Sequence, residues 1–537
     1  MSLHRLSATA LAGRLDRGET TSEAVVEALI TRAEETEPHV GGFSQRRFER
    51  ALAEARTCDD ERRAGRPRGL LHGLPITVKD NVDVAGMRRS VGLAAGSRHV
   101  SPTDAVVVGA ARRAGAIVLG KSNVPQGLLS MACDNAVYGR TYNPWSAAHA
   151  TGGSSAGEGA LLASGASVLG IGSDLGGSIR FPAAFCGVAG FKPTQDRWSN
   201  RGAETAIAGQ EFVRAQLGPM ARSVEDLHLL FAALDPAWQR EQDWRVPPPV
   251  SPRVPGPLRI GYFDDDGVSP ANPAMKRALR EVVDALAADG VETVEVAPWE
   301  HAEVVRHYLA AVSSDGMKTL AARFGDERPA AGIRLMWRLG SLPRVVRARA
   351  GSLLRLAGEP RLADVVESTG ERSVAGYWAL VAERERLRRR YEDAWRASGI
   401  DVVLTPAAAT PAVPIGMEHD ASLMFSWFCV YNVFGMPAGV VPVSRVGARE
   451  TRVDPGREQI TRRFSAIAAK SAGLPVAVQV AGPRHADRDV LDVMARVERI
   501  ARARADHPAT PRDVERSTKR SGLRTVRRCY RSTRRTR

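Results

Sequence analysis

Residues 151–194 read TGGSSAGEGALLASGASVLGIGSDLGGSIRFPAAFCGVAGFKPT, and this stretch decides both the fold and the chemistry of the chain. Ser154 and Ser155 follow two glycines and precede a run of small residues, 156–167, which predicts a tightly packed helix. The apolar residues 168–171 predict a buried strand, after which the chain must turn sharply to reach Ser178. Glycines in that turn let backbone N–H groups converge beside the serine, as an oxyanion hole requires. A purely structural glycine turn is the plain alternative, but a motif of about forty residues favours a serine nucleophile.

Two motifs carry a family resemblance. GGSS at 152–155 and DLGGSIRFP at 174–182 resemble the hallmark of the amidase signature family, and MPAGVVPV at 436–443 is similar to its fatty acid amide hydrolase branch. The resemblance implies an α/β fold: a single amidase-signature domain in which helices cover both faces of a central mixed, twisted β-sheet. It also implies an amidase, that is, a hydrolase acting on linear carbon–nitrogen amide bonds, which uses no cofactor and no metal.

The family's catalytic arrangement can be carried onto three residues of this sequence. The resemblance makes Ser178 the nucleophile, Ser154 the bridging proton relay, and Lys79, in the string PITVKD at 75–80, the base. It also implies a cis peptide bond between Gly153 and Ser154. For Lys79 to accept a proton, burial must lower its pKa from about 10.4 towards about 7 or 8. The lysine is therefore expected in an apolar pocket that excludes water.

Further site residues are expected around the nucleophile. The backbone N–H groups that line the oxyanion hole are predicted to be those of Leu175, Gly176, Gly177 and Ser178. The residues expected to brace this loop, rather than to react, are Ser155, Asp174 and Arg180.

Apolar side chains near the motif suggest the substrate. The residues that offer enough apolar surface for a long acyl chain are Leu128, Leu129, Met131, Phe425, Trp427 and Phe428. They favour the hydrolysis of fatty acid or other hydrophobic amides to a carboxylate and an amine or ammonia through an acyl-enzyme. Core packing explains these side chains nearly as well, so a general small-amide or aryl-amide amidase is the alternative.

The positive charge of the chain is concentrated at its end. Eleven lysines and arginines against two acids give residues 511–537 a net charge of +9, out of +15 for the whole chain. Such a composition predicts a disordered tail, placed at 506–537. A nucleic-acid-binding protein is the alternative of another class, but the tail has no aromatic residue besides Tyr530, so we expect no nucleic acid partner.

Residues 334–356 contain six arginines and no acid, with Leu335, Leu339, Leu342 and Val346 at helical spacing. An amphipathic helix on the core is the ordinary interpretation. The second interpretation is a basic helical cap that lies on an anionic membrane surface. The fatty acid amide hydrolases, which this chain resembles, carry a membrane-facing cap in the corresponding part of the chain. The boundaries that we expect are a helical region at 1–70 packing on the core, the amidase domain at 71–505 with this cap, and the tail.

The cellular location follows from what the sequence lacks. Five widely spaced cysteines show neither a disulfide framework nor zinc spacing, and the N-terminus has no long apolar core typical of a signal peptide. The uncharged run 421–444 is interrupted by glycines and prolines and predicts a turn into a buried strand instead of a membrane span. These features predict a cytoplasmic protein whose peripheral membrane association, if any, is at the inner membrane face. A homodimer is left open.

The string GAIVLGKS at 115–122 fits the phosphate-loop pattern GxxxxGKS. In a phosphate loop the residues between the two glycines form an exposed cradle after a strand. Here those residues, AIVL, themselves predict the strand. We therefore expect no nucleotide site at this position.

Overall fold

The computed structural model describes residues 2–248 and 256–514. Its strands are β1 (Phe43–Arg46), β2 (Pro75–Lys79), β3 (Ile117–Ser122), β4 (Asp134–Asn135), β5 (Gly139–Arg140), β6 (Leu169–Asp174), β7 (Ala189–Lys192), β8 (Gln216–Ala221), β9 (Arg259–Tyr262), β10 (Glu292–Glu295), β11 (Val402–Pro406), β12 (Ala438–Arg445) and β13 (Pro475–Ala481). β3 is the strand predicted within the GxxxxGKS string, and its Lys121 is buried and donates to the carbonyl of Arg88 at 2.7 Å.

The α-helices surround these strands. They are α1 (Ala8–Asp16), α2 (Ser22–Val40), α3 (Phe48–Arg63), α4 (Val106–Arg113), α5 (Ala156–Ser164), α6 (Arg180–Cys186), α7 (Val224–Ala233), α8 (Pro236–Gln242), α9 (Pro273–Ala288), α10 (His301–Val312), α11 (Lys318–Phe324), α12 (Ala331–Ser341), α13 (Arg344–Leu356), α14 (Pro360–Ser368), α15 (Val374–Ser398), α16 (Ser426–Val433), α17 (Gln459–Ala468) and α18 (Asp487–Arg502). Short 3₁₀ helices lie at Leu3–Arg5, Gly96–Arg98, Gln126–Leu128, Ser422–Phe425 and Ala448–Thr451.

Within the described residues, eleven strands form one mixed sheet in the order β1-β3-β2-β6-β8-β7-β12-β13-β11-β9-β10. β3, β2 and β6 run parallel, as do β11, β9 and β10, and antiparallel pairings join the two groups through the middle of the sheet. β2, β6, β8 and β13 are buried along their whole length. Because successive residues of a strand point to opposite faces, both faces of the sheet are covered, and the expected α/β class is confirmed.

The helix predicted after Ser155 owes its position to small residues. α5 is buried at every position and ends where Gly165 adopts a left-handed φ of 80°. A Cβ at Gly157 would lie 2.4 Å from the backbone nitrogen of Asn123, so only glycine lets the helix approach the chain after β3 this closely. The glycine-rich sequence therefore sets α5 directly against the parallel strands that carry the site.

The expected boundaries differ from the structure at both ends of the chain. The N-terminal region is not purely helical, since β1 pairs antiparallel with β3 and extends the sheet. Residues 506–514, expected to begin a disordered tail, lie on the body of the protein: Arg512 donates its backbone N–H to the Ala163 carbonyl at 2.7 Å, and Asp513 pairs with Arg5 at 2.7 Å. The rest of the predicted tail, 515–537, lies outside the described residues.

Residues 334–356 form the helical pair α12 and α13, which turns at Leu342 and Pro343. α13 packs against α14, and α14 packs against α10. Several large apolar side chains of the pair are exposed, and Leu353 and Leu356 retain 67% and 86% of their accessible surface. The pair therefore covers the core with one side and presents apolar groups to the surface with the other.

Candidate active site

The site lies where two parallel strands end together. β2 ends at Lys79 and its neighbour β6 at Asp174, and parallel neighbours bring their carboxyl ends to the same edge of a sheet. The loop 175–178 continues from β6, and residues 152–155 lead into α5 beside it. The structure thus places Lys79 and Ser178, about a hundred residues apart in sequence, at one sheet edge.

Lys79 is fully buried, and oxygen atoms surround its amine. Nζ lies 2.8 Å from Ser154 Oγ, 2.9 Å from Ser173 Oγ and 3.2 Å from the Ser173 carbonyl oxygen. Within the described part of the chain, no carboxylate is within ion-pair distance of this amine. Burial lowers the pKa of Lys79 to about 7, because more distant carboxylates such as Asp174 offset only part of the lost hydration. Near neutral pH the amine is therefore partly uncharged and can accept a proton.

Ser155 links the loop of Ser178 to the end of β6 through hydrogen bonds with the backbone. Ser155 donates its N–H to the Ser178 carbonyl at 3.0 Å, and its hydroxyl is 3.3 Å from both the N–H and the carbonyl oxygen of Ser173. Ser154 is buried and the peptide bond before it is cis, as expected. Ser154 and the half-buried Ser178 line the same cleft. Ser155 thus holds the end of β6 and the loop of Ser178 in a fixed relation to Lys79.

One of the four N–H groups predicted for the oxyanion hole is engaged. Gly177 donates its N–H to Asp174 Oδ1 at 2.8 Å, so the prediction for this group is wrong in the structure as it stands. The N–H groups of Leu175, Gly176 and Ser178 have no acceptor among the described residues. Gly177 has a φ of 109°, and a Cβ there would lie 2.7 Å from the Phe428 ring. The turn therefore requires glycine at this position.

Asp174 and Arg180 form a buried ion pair beneath this turn, with Arg180 Nη2 2.9 Å from Asp174 Oδ1 and Nε 3.0 Å from Oδ2. Burial alone would raise the pKa of Asp174, but Arg180, the Asn432 amide and the Gly177 N–H outweigh it and hold the pKa well below its usual range. Arg180 also donates to Asn432 Oδ1 and to the Phe428 carbonyl. This network fixes the loop from behind and leaves its front for a ligand.

A cleft of about 340 Å³ opens over Ser154 and Ser178, and its walls are mostly apolar. Of the side chains predicted to hold an acyl chain, Leu128, Leu129, Met131 and Phe425 line it. Trp427 and Phe428 do not, and the prediction is wrong for both. Trp427 is buried and donates to the Ser269 carbonyl at 2.8 Å, while Phe428 packs between Phe181 and the Arg180 guanidinium. Because α16 is buried all round, a helix periodicity could not show that none of its residues lines the cleft.

Several cleft residues were missed by the sequence interpretation. They come from α10 and α12, and include Tyr308, Leu309, Val312, Leu335, Met336 and Leu339. Tyr308 lies over the turn 175–178, since a Cβ at Gly176 would lie 2.5 Å from its hydroxyl oxygen. Ser173, the second hydroxyl on Lys79, was also missed. No motif marks these residues, whereas the spacing of Leu335 and Leu339 did indicate an apolar helix face.

A second recess of about 350 Å³ meets the cleft at Ser173, Glu204 and Thr205. Polar and charged residues supply most of its lining, and five of the seven charged side chains form ion pairs. Arg214 pairs with Asp196 and with Glu211, and Arg245 lies 4.0 Å from Glu211. The space in front of Ser178 therefore has an apolar arm and a polar arm.

Within the described residues, one group of side chains has the composition of a metal site, namely Cys58, Glu61 and His72. Both ring nitrogens of His72 are engaged, Nδ1 with the Arg68 N–H at 3.2 Å and Nε2 with the Cys58 carbonyl at 2.9 Å. Glu61 accepts two hydrogen bonds from the Arg68 guanidinium at 2.7 Å. These contacts explain the group as packing between α3 and the turn before β2.

The family profile of the amidases matches residues 24–491, and the chain belongs to this family. It is accordingly a hydrolase that acts on amide bonds. Among its relatives, the chain is 36% identical over 446 residues to fatty-acid amide hydrolase 1 of Sus scrofa, a match that covers 80% of this chain and 76% of the relative. It is 30% identical over 443 residues to fatty acid amide hydrolase 1 of Caenorhabditis elegans, with the same shares covered. A solved structure of a fatty acid amide hydrolase superimposes with a TM-score of 0.80 at 26% identity, covering 93% of this chain and 85% of the other.

Within the described residues, no helix combines sufficient length with sufficient apolar character to cross a bilayer. The uncharged run 421–444 contains α16 and most of β12, both buried in the core. The prediction of a turn into a buried strand is therefore confirmed.

Proposed function

We propose that this protein hydrolyses hydrophobic carboxamides, such as fatty acid amides, through an acyl-enzyme formed on Ser178, with Ser154 as proton relay and Lys79 as base. The observation that carries the proposal is the buried Lys79 amine, which lies 2.8 Å from Ser154 Oγ at the floor of an apolar cleft lined also by Ser178. A lysine that is partly neutral at pH 7 meets the requirement for a general base.

In the proposed reaction Lys79 accepts the Ser154 hydroxyl proton, Ser154 takes the Ser178 proton, and Ser178 Oγ attacks the carbonyl carbon. The N–H groups of Leu175, Gly176 and Ser178 donate to the developing oxyanion, each contributing about 3 kcal/mol to the transition state. When the carbon–nitrogen bond breaks, the proton returns from Lys79 through Ser154 to the departing amine. A water molecule then loses a proton along the same route and releases the carboxylate, which restores Ser178.

The two arms of the site support the choice of substrate. Leu129, Met131, Phe425 and Leu335 give the apolar arm a wall on which each buried methylene of an acyl chain gains about 0.8 kcal/mol. We assign the acyl group to this arm and the leaving amine to the polar recess that begins at Ser173. Because most charges of the recess are paired, a small neutral or hydroxylated amine fits it better than a charged one.

The test begins with a fluorophosphonate probe that labels activated serines. Ser178→Ala should abolish labelling, while Ser154→Ala should leave slow residual labelling because only the relay is lost. Ser422→Ala is the matched control, since Ser422 lines the same cleft and carries no proposed role. Labelling that persists in Ser178→Ala would refute the assignment of the nucleophile.

The substrate class is tested by kcat/KM for primary amides of increasing acyl length. On the proposal, kcat/KM rises about fourfold per added methylene until the apolar arm is filled. A flat series would instead assign the protein to the small-amide or aryl-amide amidases. That result would leave the labelling of Ser178 unchanged, so the chemistry and the substrate class are tested separately.

We propose further that α12 and α13 rest on an anionic membrane surface. Leu353 and Leu356 are exposed, and the arginines of the pair would meet headgroups. Leu353→Ser with Leu356→Ser should reduce co-sedimentation with vesicles that contain phosphatidylserine. Leu70→Ser, which removes an exposed leucine remote in sequence from the pair, is the control. Equal sedimentation of all three proteins would rule the proposal out.

A further inference from the structure

Tyr308 brings a hydroxyl group to the turn 175–178. Its Oη occupies the space of a side chain at Gly176, since a Cβ there would lie 2.5 Å from this oxygen. With the tyrosine in this position, only glycine at 176 leaves room for the hydroxyl. Tyr308 belongs to α10, which packs against α14, α15 and α16, and this packing holds the helix in place. The fold therefore sets one phenol group over the turn that carries Ser178.

The hydroxyl of Tyr308 has no hydrogen-bond partner among the described residues, and the side chain makes its ring contact with Phe425 at a centroid distance of 5.3 Å. Another hydroxyl of the cleft, that of Thr369, is satisfied within the protein, because it donates to the Val365 carbonyl at 2.8 Å. Burial raises the pKa of Tyr308 above its usual value, so the phenol stays protonated and remains a donor. An unpaired donor in an apolar wall favours a ligand that brings an acceptor.

The position of Tyr308 shows which part of a substrate would meet this donor. Phe425, which packs against the Tyr308 ring, belongs to the apolar arm, and Leu309 and Val312 of the same helix line the cleft as well. The described residues that line the polar recess, to which the leaving amine is assigned, do not include Tyr308. The donor therefore stands on the acyl side and close to the turn. It would meet the first carbons of the acyl group, not the far end of the chain or the amine.

We propose that Tyr308 selects acyl groups that carry an oxygen atom on their second or third carbon, as in 2-hydroxyacyl and 3-hydroxyacyl amides. This inference rests on the proposed function, because it names a substrate within the class of hydrophobic carboxamides. The Tyr308 hydroxyl donates to the added oxygen, which is two or three bonds away from the carbonyl carbon. A plain alkyl chain covers the same hydroxyl and offers it no acceptor, so the donor loses water without a replacement.

The experiment is a competition between two amides of equal acyl length in one reaction. Octanamide is paired with 2-hydroxyoctanamide and, separately, with 3-hydroxyoctanamide, and the carboxylate products are quantified by mass spectrometry. At low conversion the product ratio gives the ratio of the two kcat/KM values, so the fraction of active enzyme cancels. Tyr308→Phe removes the hydroxyl and keeps the ring that packs against Phe425. Ser422→Ala is the matched control, because it removes another hydroxyl from the lining of the cleft.

We expect Tyr308→Phe to lower the preference for at least one of the hydroxylated amides over octanamide by about tenfold. Ser422→Ala should leave both preferences within about twofold of the wild-type values. The amide whose preference falls identifies the carbon that carries the oxygen.

Preferences that are the same in Tyr308→Phe and in the wild type would overturn the proposal, because the hydroxyl would then serve all amides alike or none. Equal losses in Tyr308→Phe and Ser422→Ala would also overturn it, since they would reflect the general polarity of the cleft. Either result, obtained with an active enzyme, refutes this inference alone. A wild-type protein that hydrolyses none of the three amides would refute the proposed function, and this inference with it.

Discussion

Lys79→Met tests the assignment of the base through protein stability, independently of turnover. Burial lowers the pKa of Lys79 from 10.5 to about 7. At about 1.4 kcal/mol per pH unit, this difference means that the folded state disfavours the ammonium form by about 5 kcal/mol. Methionine has a similar length and no charge, so the variant removes this penalty together with the hydrogen bonds that Nζ makes to Ser154 and Ser173.

The sign of the effect follows from proton binding. Between about pH 7 and 10.5 the unfolded chain carries a proton on Lys79 that the folded chain lacks, so the free energy of unfolding of the wild type rises with pH relative to that of the variant. The relative slope is at most about 1.4 kcal/mol per pH unit. Below pH 7 Lys79 is protonated in both the folded and the unfolded state, so the wild type bears the full cost of burying the ammonium group. The free energy of unfolding of the variant then exceeds that of the wild type by the largest amount. Loss of hydrogen bonds shifts the difference by a constant and does not change its slope.

The assay is urea unfolding of both proteins at a series of pH values from neutral to alkaline. Lys121→Met is the comparison, since burial lowers the pKa of Lys121 only to about 8. Its stability difference from the wild type should change less between pH 7 and 8 than that of Lys79→Met. A difference between wild type and Lys79→Met that does not vary with pH would refute the buried, partly neutral amine, and with it the base.

Three further predictions address the loop and the cleft. Arg180→Met should destabilise the protein by about 3–5 kcal/mol in thermal or urea unfolding, because it leaves the buried carboxylate of Asp174 unpaired, and a loss below about 1 kcal/mol would contradict the role of the pair. Gly176→Ala should lower kcat, because the new Cβ would lie 2.5 Å from the Tyr308 hydroxyl oxygen. Adding Tyr308→Phe to this variant should restore part of the lost kcat. A double variant that is no faster than Gly176→Ala would show that the hydroxyl is not the obstacle. Phe425→Ser should lower kcat/KM for long-chain amides more than for short ones, and an equal loss on both would place Phe425 outside the acyl arm.

The sequence predicts the centre of the site better than its walls. Recognisable sequence motifs contain Lys79, Ser154 and Ser178. Two parallel strands that end side by side bring these residues to one edge of the sheet. Much of the cleft wall, in contrast, comes from α10, α12 and the 3₁₀ helix before α16, which lie more than a hundred residues beyond the motifs. An apolar residue on such a helix gives the same sequence pattern whether it faces the core or a cavity, so the pattern could not separate Phe425, which lines the cleft, from Trp427, which does not.

The protein treats two buried charges in opposite ways. Asp174 accepts hydrogen bonds from a guanidinium, an amide and a backbone N–H, and stays ionised. Lys79 lies on the neighbouring strand, and among the described residues its amine donates only to hydroxyl and carbonyl oxygens, so it loses much of its charge near neutral pH. If a carboxylate stood at the position of Ser173, it would pair with the amine, restore its charge and remove the base. The absence of a negative charge at Ser173 is therefore essential to the base. Ser173→Asp should move the acidic limb of the kcat/KM profile to higher pH, because the new carboxylate would raise the pKa of Lys79. Ser173→Ala should leave that limb near pH 7 or below it. The charge of the side chain at position 173 therefore decides whether Lys79 acts as a base or forms a salt bridge.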